Sequence, residues 1–145
     1  MVNFEKDVTI ALFMVRKLDE SGKFSSRIKK HRAAIFRSRS VKTITQMNYR
    51  NIEEVYDLTT EEKISKPISF VCNQFIHGGA TFAYRREDRN WDGIYTCSDY
   101  ERAKYIYRVP LSEVVALLEL AVIDYPASIR MIFNPAKGDY DVETD

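Results

Sequence analysis

The sequence predicts an α+β fold: a mainly helical domain of four or five helices, with a small antiparallel sheet of about three strands inserted before the last long helix. Three observations carry this reading. Apolar residues recur at helical spacing in three stretches, near residues 4–18, 68–76 and 111–122. Between the second and third stretches the period shortens to two. The chain has 145 residues, 45% apolar and 30% charged, which suits one globular domain (1–145) with a substantial core.

Taken in order, Asn3 is placed to cap the first helix. Phe4, Val8, Ala11, Leu12, Val15 and Leu18 then form a core-facing stripe. Ile10, Phe13 and Met14 widen it, which predicts a central rather than a peripheral helix, and Ser21-Gly22 ends it. A second, basic helix is expected from about Ser25 to Phe36, anchored by Ile28, Ile35 and Phe36. Residues 38–49 are rich in Ser and Thr and read as a loop, with a short strand at Val41–Thr45 as an option. Asn51 can cap a short helix over Ile52–Leu58, with Glu53 and Glu54 in its first turn. Thr60-Glu61-Glu62 starts a further turn leading into Lys66-Pro67.

The most informative stretch runs from Lys66 to Gly79. Ser65 and Pro67 suit a helix start, Gly78-Gly79 a stop, and Ile68, Val71, Cys72, Phe75 and Ile76 make one apolar face. Beyond it, Ala80–Arg86 and Ile94–Cys97 read as a hairpin around a polar loop ending in Asp-Gly. Ser98-Asp99 makes a turn. Arg102–Val109 is a third strand, with Tyr105 and Tyr107 on one side and Ile106 and Arg108 on the other. Pro110 opens the strongest C-terminal helix, which reads as well buried, and Tyr125-Pro126 stops it. Ile129–Phe133 fits a final short strand, followed by an acidic, frayed tail.

Composition narrows the function. No window approaches the run of about 20 apolar residues that a membrane helix needs. No basic segment followed by an apolar core opens the chain, so a cytoplasmic protein is the expectation. Two cysteines, 72 and 97, give no disulfide framework, and with two histidines they give no metal-ligand spacing. No metal or other cofactor is expected. The net charge of +1 hides a split: residues 1–50 hold 12 basic and 4 acidic residues, residues 51–145 hold 10 and 17. Arg27, Lys29, Lys30 and Arg32 are the core of the basic half. They read either as a solvated face or as a contact for nucleic-acid phosphates.

Two other groups of residues carry candidate chemistry. Asn73 and His77 stand four apart, one helical turn from each other. His77 as general acid/base, held or assisted by Asn73, is one reading; the other is a helix-terminal histidine that complements the macrodipole. Trp91, with Arg85 and Arg86, either offers a stacking surface to a partner or folds back onto the sheet.

A helix bearing Asn and a terminal His, in a small domain with a long first helix, resembles the HEPN superfamily. Its members are helical domains, often metal-independent ribonucleases of toxin–antitoxin and phage-defence systems, which commonly dimerise to form one site from two motifs. The motif is Arg, a polar residue, three or more residues, then His. Cys72-Asn73-Gln74-Phe75-Ile76-His77 matches the polar and His positions and departs at the Arg position, Cys72. Arg16, Arg85 and Arg86 are the candidates to replace that Arg. The chain is also similar to small bacterial proteins with a Cys-Asn-x-x-Ile-His helix followed by a Ser-Asp turn, a likeness that brings no activity. Two function classes follow. One is a HEPN-like, non-catalytic or weakly catalytic interaction module in a defence or toxin–antitoxin setting, with a homodimer, a protein or RNA as partner. The other is a HEPN-type ribonuclease using Asn73 and His77.

Overall fold

The computed structural model describes residues 2–145. Its elements are α1 (Val2–Glu20), α2 (Ser26–Lys30), β1 (Arg32–Arg39), α3 (Ile52–Val55), β2 (Glu62–Pro67), α4 (Ile68–Ile76), β3 (Gly78–Arg85), β4 (Trp91–Ser98), β5 (Tyr105–Pro110), α5 (Leu111–Ile123), β6 (Ile129–Asn134) and β7 (Asp139–Thr144). Five strands form one antiparallel sheet in the order β2-β1-β5-β4-β3, and β6 and β7 form a separate hairpin. The fold is α+β but not mainly helical: 34% is helix and 35% strand.

The expectation of about three strands fails at β1, β2 and β7. The basic stretch from Ser25 is helical only to Lys30, and then becomes β1. Its weak helical stripe reflects a strand in which Ala33 and Ile35 are buried and Arg32 and Arg39 exposed. β2 was expected as a turn and helix start because Ile64 is its only large apolar residue. It is an edge strand, where lysines and a proline are the usual composition. Ser65 therefore lies in β2, and Pro67 occupies the cap position of α4 without a side-chain bond. Asn3 lies inside α1 rather than capping it, Val41–Thr45 forms no strand, and the helix expected over Ile52–Leu58 stops at Val55. The tail is not frayed: Asp139–Thr144 pairs along its whole length with β6.

Helices α1, α4 and α5 lie on one face of the large sheet. Ile94 and Val109 pair on that face, and Val8, Leu12, Val15, Val71, Phe75, Val114 and Leu117 complete the core. On the other face, α3 covers the end where Ser38, Ile106 and Cys97 lie. Tyr56 is buried there and donates its hydroxyl to the Arg102 carbonyl at 2.7 Å. At the uncovered end of this face, Phe36, Arg108, Tyr95 and Phe82 stand in register across four strands, all half-buried.

Two carboxylates cap strand N–H groups that the ladders leave free. Glu5 of α1 accepts from Ala83 in edge strand β3 at 2.8 Å, and Glu113 of α5 accepts from Ala34 in β1 at 3.0 Å. At the end of α1, Gly22 takes the left-handed conformation (φ +67°), and Lys23 donates back to the Leu18 carbonyl at 2.9 Å.

α1 is not the central helix that its width suggested. Ile10, Phe13 and Met14 are 48%, 54% and 58% exposed, so only the Val8, Leu12 and Val15 side is used. α5 is also half-open: Val114 and Leu117 are buried, while Val115, Val122 and Ile123 face outward.

Asp124 closes the layer. Its side chain is 2% exposed. It accepts from the Ser25 N–H at 2.7 Å and the Ser25 hydroxyl at 2.6 Å, tying the end of α5 to the start of α2. Removing this acceptor leaves a buried N–H and hydroxyl unpaired. Asp124→Ala should destabilise the fold by about 2 kcal/mol or more, and Asp124→Asn by less, in urea unfolding followed by circular dichroism. Equal stability of all three proteins would contradict this role.

Candidate functional site

The end of α4 is fixed by its sequence. Gln74 is buried; its side-chain oxygen accepts from the Ser98 N–H at 2.9 Å, and its carbonyl accepts from the Thr96 hydroxyl at 3.1 Å. The chain then passes directly into β3 at Gly78. A Cβ there would lie 2.3 Å from the Gln74 carbonyl oxygen and 2.8 Å from that of Cys97, so no side chain fits. His77, between the two, caps the helix. Its N–H donates to Asn73 and its carbonyl accepts from Asp99, both at 3.0 Å.

His77 is therefore exposed at the rim of the sheet, beside the Ser98–Arg102 turn, where Asp99 and Arg102 form an ion pair at 3.3 Å. Asn73 is half-buried. The contact between the two predicted catalytic residues is backbone to backbone; no side-chain hydrogen bond joins them among the described residues. The nearby cleft, lined by Tyr49, Tyr56, Gly79, Cys97, Asp99 and Arg102, holds nothing larger than a water molecule. Larger hollows lie along the 41–59 loop and beside Arg37 and Tyr105, and His77 lines neither.

Cys72, where the expected resemblance would call for an Arg, is closed to solvent. The thiol is 0% exposed, and burial pushes its pKa up to about 12. The candidate replacements for the motif Arg are all engaged. Arg16 pairs with Asp19 and Glu20, Arg86 with Asp92, and Arg85 lies 3.9 Å over the Trp91 ring. Trp91 is not at a loop tip. It opens β4 and stacks on Phe4 of α1 at 4.9 Å and 3°. Together with Glu5, this contact fixes the start of α1 on the β3–β4 hairpin.

The basic residues are spread over α2 and the first residue of β1. Arg27 lies 3.6 Å from Asp124, and Arg32 donates to the Ser65 carbonyl at 2.7 Å. Lys29 and Lys30 are exposed and make no ion pair among the described residues. Among those residues, no three His, Cys, Asp or Glu side chains gather where they could hold a metal ion. No described helix is long and apolar enough to cross a membrane.

Two features were not anticipated. On the uncovered sheet face, Arg108 donates to both oxygens of Glu61, at 2.8 and 2.6 Å, and to the Tyr84 hydroxyl at 3.1 Å. Its guanidinium lies 4.0 Å over Phe36. Alternation in the third strand did separate Arg108 from Tyr107, but the partner, Glu61, lies 47 residues away in a segment read as a turn. The second feature is the apolar surface of α1. Ile10, Phe13 and Met14 have the spacing of core residues, and nothing in that spacing distinguishes a second apolar face from a wider first one.

No protein-family model, no curated protein and no solved structure matches the chain. The fold and these surfaces define an α+β domain built on a five-stranded antiparallel sheet.

The buried cysteines give a pH prediction. Burial raises Cys72 from its ordinary 9.0 to about 12, and raises Cys97 as well. The folded thiols keep protons that the unfolded chain has lost, so stability falls as pH rises from about 9 toward 12. Urea midpoints should drop over that range, with Cys72→Ala flattening part of the slope. At pH 8 both native thiols should resist a colorimetric thiol reagent until denaturant is added; rapid labelling of the folded protein would refute their burial.

Proposed function

We propose that this protein is a non-catalytic interaction module that holds an apolar segment of a protein partner, acidic at one end, on the outer face of α1. One observation carries the reading. α1 is apolar on two sides, and the fold buries only one of them. The outer side presents Ile10, Phe13 and Met14 one turn after Lys6 and one turn before Lys17, with both lysines exposed. A helix with an unused apolar stripe of this kind is a usual docking surface for a partner element. Lys17 favours a carboxylate at its end of the ligand segment, exposed Asp7 offsets Lys6 at the other, and these charges make association sensitive to salt. The HEPN resemblance, carried by Asn73 and His77, would place such a module in a defence or toxin–antitoxin setting.

The second reading, a metal-independent ribonuclease, is favoured by the exposure of His77 beside the Asp99–Arg102 pair. Weighing against it are the sealed Cys72, the engaged arginines and the lack of a substrate-sized cleft at His77.

The test uses a photo-crosslinking residue at Met14, with cells of the natural host as the source of partner. One discrete partner band is expected. It should be lost in Phe13→Asp, weakened in the Lys6→Glu/Lys17→Glu variant and reduced by added salt. All variants should keep the wild-type melting temperature, because none of these side chains is needed for folding. Purified protein should leave RNA intact without divalent metal. RNA cleavage that His77→Ala abolishes, or a crosslink indifferent to all three α1 changes, would overturn the proposal.

A further inference from the structure

The hairpin β6–β7 has the alternation of one half of a β-sandwich. Met131 is opposite Val142, and Phe133 opposite Tyr140, with Ile129 on the same face. Phe133 and Tyr140 meet edge to face at 5.3 Å. The reverse face carries the charge: Arg130 opposite Glu143, and Asp141 bonded by Asn134 and Lys137. The apolar face is nevertheless 50–65% exposed at all five residues. The hairpin is held to the body mainly at its end, where Thr144 donates to the Phe24 carbonyl at 2.7 Å and accepts from the Ser26 hydroxyl at 2.6 Å. A two-stranded hairpin is marginal in water unless its apolar face is covered.

We infer that what covers it is the same hairpin of a second copy, the two apolar faces stacking across a two-fold axis into a four-stranded sandwich. The face carries no charge, so like against like brings no repulsion, while Asp139, Asp141 and Glu143 stay on the outside. An isologous contact closes on itself and needs no other partner. The area is sufficient. Half-exposed large side chains offer about 100 Å² each. The five hairpin residues thus supply about 500 Å² per subunit, about 1,000 Å² over the two copies, the size at which a specific interface begins. Face-to-face sheets sit about 10 Å apart, a gap that side chains such as Met131 and Phe133 fill. This contact uses neither α1 nor the partner proposed for it.

The full chain should sediment as a dimer of the 16.9 kDa subunit at micromolar concentration. Met131→Asp, on the apolar face, should weaken dimerisation at least tenfold, while Ile132→Asp, its neighbour on the reverse face, and Phe13→Asp on α1 should not. Met131→Cys, close to the two-fold axis, should form an intermolecular disulfide under mild oxidation. That readout does not depend on the aspartate variant folding. A wild-type monomer at high micromolar concentration, or a dimer lost in Phe13→Asp but kept in Met131→Asp, would overturn the inference. So would a Met131→Cys protein that stays uncrosslinked.

Discussion

The junction of α4 with β4 sets the arrangement around it. Gln74 is a buried amide whose oxygen and backbone carbonyl are both used on β4, at Ser98 and Thr96. An unpaired amide in that position would cost a few kcal/mol, so the helix has one seat on the sheet. Gly78 permits the approach because it places no atom between the helix carbonyl and the strand. Once α4 is seated, Cys72 is driven into the core and His77 out to the rim. The exposure of the one histidine with candidate chemistry thus follows from packing, without any need for a substrate to explain it.

The same economy of polar groups governs the sheet margins. Glu5 and Glu113 reach from helices to strand N–H groups that have no ladder partner. A carboxylate serves well here, since a charged acceptor makes a stronger bond than a neutral one. β2, the opposite edge, is guarded by its own lysines and Pro67 instead. Apolar surface is left open on α1, on the outer side of α5 and on the small hairpin.

The positions of α1, α4, α5 and the β3–β4 hairpin were legible in the sequence, but the five-stranded sheet was not, so the mainly helical fold class was wrong, and the failures share a cause. α1 and α4 have helical periodicity because each buries one face against the same core, whereas α5 and the β3–β4 hairpin were legible from their apolar runs and from the polar loop between the two strands. β1 and β2 were missed because their outward positions carry Arg, Lys and Glu, and charge of that density suggests a solvated helix. Only pairing with β5 and with each other makes them strands. The exposed face of α1 was misread as core, since spacing reports which residues share a side and not whether anything covers it. Glu61 and Arg108 were invisible as a pair for the same reason: their contact is made by topology. His77 at the end of its helix was read correctly from Gly78-Gly79, whereas the position of Trp91 depended on Phe4, 87 residues earlier, which no local pattern connects to it.

The strand order also fixes when this molecule can become whole. β1 pairs with β2, and β3 with β4, but only β5 touches both pairs. Until residues 105–110 have left the ribosome, the nascent chain holds two separate ribbons with bare edges, each on the margin of stability. β5 works as a keystone: the arch stands only after the last stone arrives. A message truncated shortly before Tyr105 would release a chain with most of its apolar residues and no way to cover them, the kind of fragment that quality-control proteases remove.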